Sequence, residues 1–182
     1  MNKNGNACWI TYTAAAVALL IVVQAVTMGF GNMFLTGSCV NLLLILSVMT
    51  CGLKTGLWAA VLSPVVARLF GIGPLWSLIP FIILGNSALC GSWYMVMRGR
   101  AVTERKFCII AIFTAAVAKF LVLYLGIVKL AIPYLLHIPQ KQVTVIAQMF
   151  SLPQLATAII GGILATVTLP MICRAIKMEE IL

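Results

Sequence analysis

Apolar runs of membrane-crossing length, separated only by short polar breaks, fill this chain from end to end. A bilayer core of about 30 Å is crossed by roughly 20 apolar residues in helix. Six segments meet or approach that length: about 11–30, 35–53, 55–71, 75–97, 107–132 and 143–173. The breaks include Gly73-Pro74, Arg98-Gly99-Arg100 and Pro133. The first run is too long for a removed signal peptide and lacks its cleavage-site context. In the last segment Pro153 is expected to kink or break the helix, because proline removes a donor and crowds the preceding turn. Residues 143–150 then read as a separate interfacial helix. Composition supports this division. The 182 residues are 63% hydrophobic and 8% charged, against about 25% charged in a soluble domain. So short a chain cannot bury that much apolar surface in a water-facing core. The fold class is an all-α integral membrane protein, one domain of six transmembrane helices.

The net charge of +9 is unevenly distributed. With a cytoplasmic N-terminus, Lys3, Lys54, Arg98, Arg100, Arg105, Lys106, Arg174 and Lys177 all fall inside, and only Lys141 falls outside. The positive-inside rule therefore places both termini in the cytoplasm. The basic excess is topological, with attraction to anionic membrane lipid as its consequence, and needs no nucleic acid.

Three carboxylate side chains, Glu104, Glu179 and Glu180, are present, with no aspartate and one histidine, His137. Aspartate-based membrane proteases, aspartate-metal phosphatidyltransferases and Walker-type ATPases lack their essential residues here. A histidine-rich metal site is excluded as well, and nothing implies a cofactor. The six cysteines show no CxxC pair and lie in or beside apolar segments, where a thiol acts as a small buried hydrophobe.

Polar residues inside the spans carry what functional signal there is. Arg68, Lys119 and Lys129 all belong to the half expected to face outward, without a carboxylate to pair with. A cation in hydrocarbon costs several kcal/mol and normally faces a cavity or a partner. Lys119 is the deepest, about 13 residues beyond the inner end of its span and so near or past mid-membrane at 1.5 Å per residue. These cations point to an outward-facing pocket for an anionic, carboxylate-bearing solute. The alternative is snorkelling to the interface, which suits Arg68 and Lys129 better than Lys119. Asn41, Asn86, Gln148, Gln154 and Thr157 share the same half. Amides orient ligands with both donors and acceptors, though they also bond helix to helix. Trp76 and Tyr134 suit an interfacial belt or a stacking surface. Pro80 would free a backbone carbonyl beside a cavity, and His137 reads as a loop residue. In span one, Ala14 and Ala18 form a small-xxx-small face, suited to close approach by a helix of this chain or of a partner.

Size, spans, inside termini, the Ala14/Ala18 pair and the segment from Ile79 to Asn86 together resemble the substrate-binding S-components of energy-coupling factor (ECF) vitamin transporters. The resemblance implies a subunit of a bacterial plasma membrane that is not an enzyme. Such a subunit captures a vitamin or other micronutrient near the outer surface, and works with a transmembrane T-component and two ABC-type ATPases. By position, Ala14 and Ala18 would meet the T-component. The pocket would draw on helices four to six and on the loops around Asn32 and His137. Three other readings remain open. A coupled secondary transporter usually shows intramembrane carboxylates and inverted repeats, neither of which is evident. An enzyme built on Ser63 or Ser92 would have only His137 to activate it. A purely structural subunit would share the alanine face but need no polar pocket.

Overall fold

Where each helix stops decides which side chains can meet at its end. In the computed structural model, which describes residues 3–73, 75–135 and 139–176, the first helix, α1, is Lys3–Met28. A tight turn follows, and Asn32 caps α2 (Met33–Cys51), its side-chain oxygen accepting from the backbone N–H groups of Phe34 and Leu35. This satisfies two of the donors that a helix start leaves unpaired. Gly52 alone joins α2 to α3 (Leu53–Leu69). That helix is closed by a Schellman-type turn in which Ile72 N–H returns to Ala67 O and Gly71 N–H to Arg68 O. Gly71 takes the left-handed φ of 75° that such a closure requires. The stop leaves Arg68 in the last turn of α3.

A single 3-10 turn, Trp76–Leu78, leads into α4 (Ile79–Met97). α5 (Arg105–Leu123) continues without a break through a π-helical stretch, Tyr124–Ala131, and a final turn, Ile132–Tyr134. Last come α6 (Gln140–Met149) and α7 (Leu152–Ile176).

Among the described residues, five spans are long and apolar enough to cross a membrane: Trp9–Met28, Met33–Cys51, Trp76–Met97, Arg105–Tyr134, and α6 with α7 taken together as Gln140–Cys173. The sequence pattern gives six. The difference is α3, whose 17 residues reach only about 25 Å at 1.5 Å per residue, because Gly52 and Gly71 bound it. Of the two expectations for Pro153 the break is found and the kink is not, and Pro80 differs from expectation. Pro153 does not kink a continuous helix. It lies in the first turn of α7, after a break at Phe150 and Ser151, where its missing N–H would be unpaired anyway. Pro80 is likewise in the first turn of α4 and frees no carbonyl mid-span.

α1, α3, α4, α5, α7 and α2, in that order, close a ring, each touching the next, and α2 also crosses to α3 and α4. Close approach of α2 and α7 depends on Gly161: a Cβ there would sit 2.6 Å from the Asn41 Cβ and 2.8 Å from Ser38 O. The main core, with Leu44, Ile45, Leu89, Trp93, Ala111 and Leu169, fills one end of the ring. A second, smaller cluster joins Leu78, Leu123, Ile127, Ala131 and Phe150 at the other. Outside, Leu19, Val22, Val26, Ile109, Phe113, Val167 and Met171 are exposed. So much outward apolar surface suits lipid rather than water.

Candidate functional site

Lys119 sits about 21 Å from the start of α5 at 1.5 Å per residue, and its side chain is 95% buried, at 5% exposure. Its ammonium donates to Asn41 Oδ1 at 2.6 Å and to Asn86 Oδ1 at 2.7 Å. The three residues come from α5, α2 and α4 and lie close together because those helices pack on one another. Asn41 Nδ2 reaches Thr157 Oγ1 at 3.5 Å, and that hydroxyl donates to Gln154 O at 3.1 Å. The cluster is buried: Asn41 is 0% exposed, Asn86 3% and Thr157 1%. Among the described residues no ion pair and no carboxylate neutralises the ammonium.

Hydrogen-bond direction gives this cluster its chemistry. Both asparagine oxygens are turned to Lys119. An ammonium has three N–H donors and each amide nitrogen two. One Lys119 donor, one Asn41 Nδ2 donor and both Asn86 Nδ2 donors are therefore left over among the described residues. The cluster offers donors and positive charge, which matches an acceptor-only, anionic group such as a carboxylate.

Lys119 and Asn86 border a cavity of about 670 Å³ that opens toward the end where α3 stops and α4 starts. The volume lies in the usual range for small-molecule sites. Every helix contributes to its wall: Gln24 from α1, Thr36 and Val40 from α2, Ser63 and Arg68 from α3, Ile79 and Ile82 from α4, Leu123 from α5, Met149 from α6 and Gln154 from α7. Arg68 donates to Gly73 O at 3.4 Å, while its Nε is buried with no hydrogen-bond partner among the described residues. Gln154 Nε2 donates to Met149 O at 3.2 Å and ties α7 to the end of α6.

Of the residues singled out in the sequence, Lys119, Asn86, Arg68 and Gln154 border the cavity and Asn41 braces its floor. Lys129 and Gln148 are elsewhere. Lys129 is exposed, with its ammonium 5.7 Å from the Tyr124 ring. Gln148 is exposed in a shallow groove between α6 and α7 with Val143, Ser151 and Pro153. Trp76 and Tyr134 are 51% and 77% exposed and border no part of the cavity, so neither stacks there. His137 lies outside the described residues, as do Lys177, Glu179 and Glu180. Gln24 and Thr36 are wall residues that the sequence reading does not single out, and Ser63 figures there only as a candidate nucleophile. A lone amide in the apolar run of α1 was the available signal for Gln24; the hydroxyls of Ser63 and Thr36 give none, since such groups bond to their own helix.

Ala14 and Ala18 are exposed, whereas Thr13, Val17 and Leu20 form the buried face of α1. The alanine face therefore points away from this chain's own bundle.

A multi-pass helical bundle with a donor-rich cavity at one end defines a membrane protein built to hold a small solute. A sequence model of the family described as ECF transporter, substrate-specific component, matches residues 13–173, and the chain belongs to that family. Neither a curated protein nor a solved structure matches it.

Proposed function

We propose that this S-component captures a small, carboxylate-bearing vitamin or precursor in the cavity and presents it for ATP-driven uptake. The observation that carries the reading is the Lys119 ammonium, held by Asn41 and Asn86 oxygens and bordering the cavity with donors to spare. A carboxylate would supply the counter-charge that Lys119 lacks among the described residues. Arg68 and Gln154 would contact the solute nearer the mouth.

The basic residues orient the protein in a bacterial plasma membrane with six helices crossing, both termini inside and the cavity mouth outward. α3 would then cross with a short hydrophobic length, a mismatch that local thinning or snorkelling accommodates. Membership of the family supports a T-component and two ATPases as partners, and the outward-facing Ala14 and Ala18 suit close contact with the T-component.

Mass spectrometry of small molecules released on denaturing the detergent-purified protein tests the reading. A stoichiometric carboxylate-bearing compound, lost in Lys119→Ala, is expected. A stoichiometric neutral or cationic compound would overturn the carboxylate assignment.

A further inference from the structure

We infer that the cavity takes an elongated, two-ended ligand. A carboxylate sits at the floor on Lys119 and Asn86, and a second anionic group sits at the mouth on Arg68, joined by an aliphatic body about 10 Å long. This rests on the reading of the cavity as the solute site and adds the shape and chemistry of the solute.

The length follows from helix geometry. Asn41 lies about 12 Å, and Asn86 about 10 Å, beyond the starts of α2 and α4 at 1.5 Å per residue, so the floor is that far below the mouth. Arg68 is one residue from the end of the antiparallel α3 and reaches Gly73 in the loop that follows, which puts the second cation at mouth level. Arg68 is half-buried, and its bond to Gly73 O lies at the exposed rim of the cavity. Arg68 borders the cavity, and its Nε is buried without a partner among the described residues. A guanidinium has five donors, and among the described residues the one bond to Gly73 O leaves most of them unused.

Between the two cations the wall is mostly apolar, with Val40, Ile79, Ile82 and Leu123, and Gln24, Thr36, Ser63 and Gln154 add a few amides and hydroxyls. Phe150 is the one aromatic ring on the wall among the described residues. No pair of rings is placed to sandwich a flat heterocycle. A flexible or alicyclic chain with oxygen acceptors at both ends complements this sequence of surfaces.

The probes are straight-chain dicarboxylates from butanedioate to decanedioate, with hexanoate as the one-ended control, titrated calorimetrically into the detergent-purified protein. Octanedioate and nonanedioate, whose extended carboxyl carbons lie about 9 and 10 Å apart at roughly 1.25 Å of advance per C–C bond, should bind at least roughly tenfold tighter than hexanoate, as one added charge-assisted hydrogen bond provides. Arg68→Ala should reduce the advantage of the dicarboxylate over hexanoate to less than about twofold, with thermal unfolding in detergent reporting an intact fold; Arg68→Lys should retain part of the advantage. A series with no length optimum, bound or unbound, overturns the two-ended ligand. The solute-site reading survives that result if Lys119→Ala still releases the co-purified compound, and falls with it if the compound is retained.

Discussion

Lys119 brings a charge into an apolar bundle where two amide oxygens are its only partners among the described residues. Removing it should therefore act on ligand more than on folding. Lys119→Ala is expected to weaken carboxylate binding roughly 30-fold or more, since losing one partner of a buried charged pair costs about 2 kcal/mol or more; equilibrium binding by calorimetry would measure this. Asn41→Leu should do something different. It takes one acceptor from the ammonium and leaves Thr157 without its donor, so thermal stability should fall by about 1–3 kcal/mol along with affinity. These residues were legible in the sequence because a cation or amide in a lipid-length run must find a partner. Which face they occupy was not legible. The inward face of α5 and its π-helical continuation runs through Lys119, Leu123, Ile127 and Ala131. Lys129 lies two residues from both Ile127 and Ala131, on the opposite side of the helix. A depth estimate from chain position contains no rotation, and a π-helical stretch departs from the period that would supply one.

At the scale of elements, the α2–α7 contact sets the floor. Gly161→Ala should push the two helices apart, because the new Cβ meets the Asn41 Cβ and Ser38 O. A loss of about 1–3 kcal/mol is expected, as for other overpacked sites, together with weaker ligand binding. Gly91→Ala is the matched control: nothing lies within 4 Å of its Cβ position, so the helix should gain up to about 1 kcal/mol. Thermal unfolding in detergent separates the two. Pro153→Ala should change stability by less than about 0.5 kcal/mol, because a proline in the first helical turn forfeits no hydrogen bond. The sequence marked Pro153 as a breaker and placed a separate helix before it, but not on which side of the break the proline would fall. Apolar wall residues such as Ile79 and Ile82 were illegible for another reason. In a chain this hydrophobic, an apolar residue at the cavity and one facing lipid look alike.

For the whole molecule, the proposed partnership separates from ligand capture. Ala14→Leu enlarges a face that points away from the bundle, so co-purification with the T-component and ATPases should be lost while ligand retention is unchanged. A fluorescent protein fused to the C-terminus should fluoresce in cells, as the proposed cytoplasmic terminus requires. Because the cavity wall takes a residue from each of the helices α1 to α7, whatever fills it touches every part of the fold at once. Its occupant is a keystone. At a hundredfold excess over Kd, a bound solute adds about 2.7 kcal/mol to the stability of the folded state. A starved cell would thus hold a looser, shorter-lived version of its own receptor, and turnover of the protein would register the scarcity of its cargo without any sensor.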